Sequence, residues 1–517
     1  MQLIQTAGLA LPDLRHRWMR LGALVLVFLY LVTFLPGIIT AARNMDRIAE
    51  QRVAPWDDTD YQMLAVNILN GYGFTETMQL PAAEYRTMRE ESELLHDNYY
   101  RFYRAPGFAF LLAGLYAITG VSTLAARILI GVMIWLTAVL LVGIGDRLAG
   151  WIGSLAGGLA GYFLIYVSQF MNGPDSFLHG RTLSEPLTAF LITLFALLWI
   201  AFQQQKQRIF LYISCLILAG VVLTRANFLA ALPLFLLIVF FETHQWKPVL
   251  ISALLLLGPV LAWSGYATYI RHSPVLISTQ GSRDFPRFNN QDVITGFGPE
   301  KRDQGGWQPG FVLSADGEPI LTNSNSAQEG ENGWVKGLQF WLANPKKLPA
   351  LFYLKLRAGL WYGEGLIFPL GIAYFLVALG FRKPRRPIRF LPSLNSSQIL
   401  ALQIGLCLLL LWLADIEFFG YTLLIWSLIA LIALLHPYGD TAQPLQAGLV
   451  WFIPLFAAYL VSTLLFGGEV RFHFPIDPLV VLFGYGGVLL SVYYLMKRDL
   501  GLAMIVGVLV AARISQL

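Results

Sequence analysis

The stretch PWDDTDYQMLAVNILNGYGF, Pro55 to Phe74, decides how the rest of the chain is interpreted. Pro55 and three carboxylates open it, and apolar residues then recur at the spacing that gives a helix one apolar stripe. Gly71 is expected to end the helix. The pattern predicts a short amphipathic helix on a membrane surface, and its acidic end, just outside the lipid, is a candidate catalytic site. The stripe residues are Tyr61, Leu64, Ala65, Ile68 and Leu69, and the acidic residues are Asp57, Asp58 and Asp60.

The composition indicates an all-α polytopic membrane protein. Of the 517 residues, 56% are hydrophobic and 13% are charged, whereas an ordinary soluble domain is about 25% charged. The mean hydropathy is +0.60. Apolar runs near the roughly 20 residues that a membrane span needs predict about thirteen transmembrane helices. The runs cover residues 20–42, 123–146, 151–171, 183–203, 209–224, 226–241, 248–269, 359–381, 399–415, 418–435, 445–466, 474–496 and 500–515.

The distribution of positive charge predicts the orientation. With the N-terminus inside, alternate short loops carry fourteen Lys and Arg residues, against Arg181, Arg225 and Arg471 on the short outer loops, as the positive-inside rule requires. The first apolar run is too long for a cleavable signal peptide and is expected to stay as an anchor. The net charge of +5 comes largely from the inner loops, so it favours anionic lipid headgroups over nucleic acid as a partner. Cys215 and Cys407 both fall inside predicted spans, away from the outer loops where a disulfide would form.

Two long outer segments remain, residues 43–122 and 270–358. In the first, Gly107 to Thr119 is too short to cross a bilayer core of about 30 Å at roughly 1.5 Å per residue. It is predicted to form a second interfacial helix, started by Pro106 and stopped by Gly120. In the second, the polar residues 270–340 are rich in Gly and Asn. They are expected to form loops with short strands, giving a mixed outer loop domain.

The apolar run from Ile209 to Phe241 is interrupted near its middle by Thr224 and Arg225. A guanidinium at mid-bilayer is costly, so the run is predicted to form two short helices that turn at Arg225 on the outer side. Further along, the basic residues 382–397 are expected to form a cytoplasmic linker. The linker would divide a catalytic transmembrane module, residues 1–381 with both outer segments, from C-terminal transmembrane helices, residues 398–517.

Charged residues that interrupt the outer loops are candidates for one cavity at the outer lipid boundary. Carboxylates beside arginines suit one chemistry well, because a carboxylate can take a proton from an attacking hydroxyl while guanidinium groups hold a phosphate leaving group. The candidates are Asp57, Asp58, Arg104, Asp175, His179, Arg181, Glu185, Arg225, Asp415, Glu417, Glu469, Arg471 and His473.

Several candidates also have a purely structural interpretation. Asp57 at a helix start can cap backbone N–H groups, although three carboxylates in four residues exceed what a cap needs. Arg104 can snorkel beside neighbouring tyrosines, and Arg181 and Glu185, four residues apart, can pair with each other. His179 with scattered carboxylates is weak support for a metal site, so no metal ligand is assigned and a divalent metal stays open. The chain has no phosphate-binding glycine loop, so a sugar donor on the outer face would have to be lipid-linked.

Several motifs resemble those of the GT-C superfamily of glycosyltransferases, polytopic enzymes that include protein O-mannosyltransferases and lipid A aminoarabinose transferase. WDDTDY is similar to the D-[DE]-x-x-Y motif of their first outer loop. As a set the motifs are specific for the superfamily and not for one substrate. Ala105 departs from the KPP form of the aminoarabinose transferases, so that enzyme's substrate is not assigned. The further matches follow in order over about the whole chain: AVNILNGYGF, RAPGF, GVSTLAAR, LSEPL, LTRANF, STQGSRDFPRFNN and RFHFPIDPL.

The resemblance implies a catalytic base at Asp57 and a second acid at Asp58. It implies that Arg104 and Arg471 hold a polyprenyl phosphate and that Glu185 faces the same cavity. The expected reaction moves a monosaccharide from a polyprenyl-phosphate donor to an acceptor hydroxyl on a glycan, lipid or protein, with inversion. It would take place at the periplasmic face of a bacterial inner membrane. The other residues assigned to the substrate and phosphate site are Tyr61, Arg181, Arg225 and His473.

Two other classes of protein remain as alternatives. A transporter or flippase for a lipid-linked or anionic solute predicts charges at mid-bilayer, broken helices and repeated halves, whereas the polar residues of this chain concentrate on the outer side. A scaffold in a larger envelope complex would use the acidic helix as a docking surface. The sequence leaves the sugar and the acceptor open.

Overall fold

The computed structural model describes residues 57–71, 73–74, 102–170, 183–289, 333–359, 452–466 and 474–483, with six positions between 21 and 32. All regular structure in these residues is helical. The α-helices are α1 (Asp57–Leu69), α2 (Pro106–Thr119), α3 (Thr123–Phe170), α4 (Glu185–Gln205), α5 (Arg208–Thr224), α6 (Ala231–Thr243), α7 (Trp246–Arg271), α8 (Gln280–Arg287), α9 (Gly333–Ala343), α10 (Leu348–Gly359) and α11 (Phe452–Phe466). Short 3₁₀ helices, Ala226–Ala230 and Pro345–Lys347, precede α6 and α10.

The amphipathic helix that the opening stretch predicts is α1, and it packs on α2. Tyr61, Leu64 and Ala65 are buried, and the ring of Tyr61 meets the ring of Phe108 of α2 edge-on at 5.1 Å between centroids. The last residue of the helix, Leu69, is 39% exposed, so the buried part of the stripe is shorter than predicted. The partner that buries the stripe is therefore a neighbouring helix of the same chain.

Helix α2 has the bounds that its flanking proline and glycine predict. It begins at Pro106, and Gly120 follows its last residue with a φ of +75°, which glycine adopts without strain. Its first turn lies close against the end of α5, because a Cβ atom added at Gly107 would be 3.1 Å from the carbonyl oxygen of Leu223. This close approach brings the turn before α2 next to the end of α5.

Helix α3 contains two predicted spans, residues 123–146 and 151–171, as the two arms of a hairpin. The chain reverses at Gly150, whose φ is +60°. Glycines let the arms approach closely, since a Cβ atom added at Gly161 would be 2.8 Å from the Cβ of Ala138 in the other arm. Ser154 also donates a hydrogen bond to Asp146 Oδ1 across the reversal, at 3.0 Å.

The predicted break at Arg225 is confirmed. Helix α5 ends at Thr224, Arg225 is extended with φ −142° and ψ 108°, and a 3₁₀ helix then leads into α6. Arg225 therefore lies at the junction between two apolar helices. Its guanidinium does not have to sit in the middle of one continuous apolar helix, where burying the charge would be costly.

Four helices in the described part of the chain are long and apolar enough to cross a membrane. They are Leu124–Leu148, Glu185–Gln205, Ala226–Thr243 and Trp246–Arg271. The architecture is thus helical and partly membrane-like, in agreement with the predicted fold class at this level. The predicted spans at 20–42, 359–381, 399–415, 418–435, 474–496 and 500–515 lie wholly or mainly outside the described residues, as does the linker at 382–397.

The expectation of loops with short strands over residues 270–340 is confirmed only for the loop at 272–279 and is wrong for the other residues that the structure describes there. Residues 280–287 and 333–340 are helical, and no strand occurs at positions 270–289 or 333–340. The sequence pattern misled because glycine and proline inside α8 and α9 read as turn signals. Tertiary packing overrides that preference: the ring of Phe285 in α8 packs directly on Gly337 of α9.

Replacing Gly157 in the α3 hairpin by alanine is expected to destabilise the protein by about 1–3 kcal/mol. The added methyl group would collide with the backbone of Leu141 and Val142 in the other arm. Gly114→Ala in α2 is the matched control, because nothing lies within 4 Å of the added Cβ atom. The measurement is the melting temperature of the purified protein in detergent, and equal melting temperatures for the two variants would contradict the hairpin.

Candidate functional site

A cavity of about 1460 Å³ opens where the ends of several helices meet. Its wall includes Tyr61 from α1, the turn before α2, the first residues of α4 and the break between α5 and α6. The end of α7, the segment 273–284, the start of α9 and the end of α11 complete it. Four of the residues assigned to the substrate site from the sequence line this one cavity: Tyr61, Arg104, Glu185 and Arg225.

A buried ion pair joins Glu185 and Arg225 in the cavity wall. Glu185 Oε1 lies 2.8 Å from Arg225 Nη1, and the two side chains are only 4% and 10% exposed. Glu185 is the first residue of α4, where a carboxylate also interacts favourably with the helix dipole. Arg181, the nearby partner that helical spacing suggested for Glu185, lies outside the described residues, and the described partner of Glu185 is Arg225, forty residues away.

Ser184 connects this ion pair to α1 through hydrogen bonds. The hydroxyl of Tyr61 donates to Ser184 Oγ at 3.2 Å, and Ser184 Oγ donates to Glu185 Oε2 at 3.5 Å. Burial raises the pKa of the Tyr61 phenol, although nearby Arg104 and the hydrogen bond to Ser184 act in the opposite direction. Tyr61 therefore stays a neutral hydrogen-bond donor at physiological pH. Sequence reasoning missed Ser184, although it directly precedes Glu185 in the LSEPL motif.

Arg104 is buried in the cavity wall and does not extend outward in the manner of a snorkelling side chain. It is 7% exposed, and its guanidinium carbon lies 4.8 Å from the ring centroid of Tyr103 and 5.7 Å from that of Tyr61. These distances are in the range of cation–π contacts. The guanidinium is thus held between aromatic rings at the surface of the cavity.

An unusual turn at Phe102 sets the position of Arg104. Phe102 has a φ of +63°, a conformation that costs a bulky residue about 1–3 kcal/mol. The surroundings hold it there: its ring is buried against Phe74 and Trp263, and its carbonyl oxygen accepts a hydrogen bond from the backbone N–H of Thr279 at 2.8 Å. The same hydrogen bond ties the segment 273–284 to the turn that carries Arg104.

Asp57 and Asp58 begin helix α1, and their side chains lie outside the described part of the structure. Residue 57 precedes Tyr61 by four positions, so the two residues share one face of the helix by register. Tyr61 lines the cavity, which places residue 57 one turn further along the same helix face. The other assigned residues outside the described part are Arg181, Arg471 and His473.

Lys355 of α10 is a buried lysine that the sequence offered no reason to select. It is 2% exposed, and its Nζ donates to Asn289 Oδ1 at 2.7 Å and to the carbonyl oxygens of Leu464 and Leu465 at 2.8 Å and 3.1 Å. Three acceptors match the three donors of an ammonium group. Trp341 of α9 also donates to Asn289 Oδ1, at 2.8 Å. This network fixes α9 and α10 to the end of α11, which lines the cavity.

Metal ligation and similarity to other proteins add no further assignment. The residues that the structure describes contain no group of three or more His, Cys, Asp or Glu side chains that could hold a metal ion. No family model, curated protein or solved structure matches the chain.

Separating the Glu185–Arg225 pair is expected to be strongly destabilising. Glu185→Gln or Arg225→Gln alone leaves a buried charge without its partner, at a cost of about 3–5 kcal/mol, whereas the double variant should cost clearly less than the sum. The pair Lys206–Glu242, whose side chains are 63% and 22% exposed with 3.6 Å between Nζ and Oε2, is the matched control. The same substitutions there should cost about 1 kcal/mol or less. Thermal unfolding of all six variants measures the two couplings, and additive effects at Glu185 and Arg225 would contradict the buried pair.

The stability contributed by Lys355 is expected to depend on pH. Burial lowers its pKa to about 7, from an ordinary value near 10.5. Between these values the folded protein has released a proton that the unfolded chain still binds, so stability rises with pH by up to about 1.4 kcal/mol per pH unit. Lys355→Met should remove this slope. The measurement is the difference in melting temperature between parent and variant from pH 6 to 10, and a difference independent of pH would contradict the shifted pKa.

Proposed function

We propose that this chain is a membrane glycosyltransferase that uses a polyprenyl-phosphate-linked monosaccharide. It transfers the sugar to an acceptor hydroxyl on the periplasmic face of a bacterial inner membrane, with inversion. The observation that supports the proposal is the convergence of Tyr61, Arg104, Glu185 and Arg225 on one cavity. These residues come from four separate parts of the chain and were assigned to one site from the sequence.

In the proposed reaction, the Asp57 carboxylate takes the proton of the acceptor hydroxyl. The acceptor oxygen then forms a bond to the anomeric carbon as the bond from that carbon to the phosphate oxygen breaks. The phosphate leaves with the bonding electron pair, and the positive charges of Arg104 and Arg471 offset its growing negative charge. One direct displacement inverts the anomeric carbon, so no covalent glycosyl-enzyme is required.

Arg104 and Arg225 both line the cavity, and the proposal gives them different roles. Arg225 is 2.8 Å from the Glu185 carboxylate, and the two opposite charges hold each other in place. The guanidinium of Arg104 lies at the cavity surface within cation–π range of the rings of Tyr61 and Tyr103. In this division Arg104 contacts the donor phosphate, whereas Arg225 holds Glu185 and Ser184 in place.

The size of the cavity is consistent with two substrates. A pocket for one small ligand commonly has a volume of about 300–1,000 Å³, and this cavity has about 1460 Å³. A lipid-phosphate sugar and an acceptor can therefore occupy it together. Direct displacement needs both at once, because the acceptor oxygen attacks the sugar while the phosphate is still attached.

Asp57→Asn is expected to reduce sugar transfer by about 10²–10⁴-fold while leaving folding and donor binding near those of the parent, because the amide cannot accept the proton. Glu242→Gln is the matched control: it also neutralises one carboxylate, but Glu242 pairs with Lys206 and does not line the cavity. The measurement is transfer of radiolabel from polyprenyl-phosphate sugars in membranes that contain the protein. Mass spectrometry of envelope lipids, glycans and proteins with and without the chain identifies the product.

Parental transfer rates in Asp57→Asn would contradict the assignment of the base. Movement of labelled lipid-linked sugar across sealed vesicles, with no glycosidic bond formed, would contradict the glycosyltransferase and support a transporter or flippase.

A further inference from the structure

We propose that α9, Gly333–Ala343, is an interfacial helix that inserts one face into the lipid at the membrane boundary. The proposal concerns residues that the sequence pattern assigned to loops, and it does not depend on the chemistry of the cavity. It follows from the division of the surface of α9 into three sectors.

The first sector of α9 packs on the protein. Gly333 and Gly337 are buried, and a Cβ atom at Gly337 would collide with the ring of Phe285 in α8. Trp341 lies on the same side, where its Nε1 donates to Asn289 and its ring meets Phe285 edge-on at 5.2 Å. These residues are four positions apart, which is the spacing of one helix face.

The second sector is apolar and exposed. Val335, Leu338 and Leu342 are 47%, 46% and 82% exposed, and they project about 100°, 40° and 80° around the helix from Trp334. Exposed apolar side chains are ordinary when single, but a contiguous row on one helix needs an apolar partner. The third sector is polar and contains Lys336 and Gln339.

A soluble surface helix has two sectors, one on the protein and one in water. An apolar sector between them is the arrangement of a helix that lies in the plane of a membrane boundary, with protein on one side, lipid below and water above. The position of α9 in the fold supports this interpretation. The ring of Phe466, the last residue of the apolar helix α11, lies 5.6 Å from the ring of Trp334, so α9 sits level with the end of an apolar helix.

The residues after α9 have the chemistry expected at the headgroup level. Lys346 and Lys347 are exposed in the 3₁₀ helix that follows, where their ammonium groups are placed to contact lipid phosphates. A lipid surface satisfies both features together, because it offers hydrocarbon to Leu342 and phosphate to the two lysines. The apolar sector is therefore assigned to lipid.

The test measures how deeply individual positions of α9 insert into a bilayer. Single cysteines are placed by Leu338→Cys, Leu342→Cys, Gln339→Cys and Lys346→Cys in full-length protein that carries Cys215→Ala and Cys407→Ala. Each variant is spin-labelled and placed in phosphatidylcholine–phosphatidylglycerol nanodiscs. Accessibility to oxygen, which partitions into lipid, is compared with accessibility to a water-soluble nickel complex. All four positions are exposed, so the labels should not disturb folding, which size-exclusion chromatography checks.

The labels at 338 and 342 are expected about 5–10 Å below the headgroup boundary, with oxygen the preferred collision partner. The labels at 339 and 346 should prefer the nickel complex. Gln339 is the matched control for Leu338, because the two are adjacent and both exposed but project into different sectors. Preference for nickel at all four positions would overturn the proposal. Inaccessibility of 338 and 342 to both reagents would do the same, since it would mean that protein covers the apolar sector.

Discussion

The buried ion pair between Glu185 and Arg225 is the interaction on which the cavity depends. Arg225 lies at the break between two apolar helices and Glu185 at the first residue of another, so their 2.8 Å contact joins three helix ends at one point. Neither charge could be buried there alone at an acceptable cost, and each therefore fixes the position of the other. Ser184 and Tyr61 extend this linkage to α1, the helix that begins with the carboxylates.

Next to this pair the cavity wall contains a second buried guanidinium, that of Arg104. It lies within cation–π range of the rings of Tyr61 and Tyr103. The strained turn at Phe102, the close approach of α2 to α5 and the hydrogen bond to Thr279 all act on the residues next to Arg104. On the far side, Lys355 and Asn289 fix the end of α11, so the opposite wall is also positioned by buried polar contacts.

Local signals predicted the elements whose ends are set by a single residue. Pro106 and Gly120 predicted where α2 begins and ends. The cost of burying Arg225 within an apolar run predicted the break between α5 and α6. The sequence failed where long-range packing decides. The pair of Glu185 with Arg225, forty residues away, has no local signal, because helical spacing indicates only near partners such as Arg181. The sequence of helices α8 and α9 predicted loops because their glycines and proline are turn formers. In the structure Gly337 of α9 instead allows close packing on the ring of Phe285, and Gly333 lies close to the backbone of Ser282 in α8.

A structure of the protein with a bound polyprenyl-phosphate sugar analogue would test the proposed site most directly, through the distance from the Arg104 guanidinium to the phosphate. A glycosyltransferase that works as proposed places the phosphate oxygens about 2.7–2.9 Å from Arg104, with the Asp57 carboxylate facing the anomeric carbon from the side opposite the phosphate. A phosphate bound away from Arg104, or an Asp57 carboxylate that points into bulk water, would contradict the proposed function.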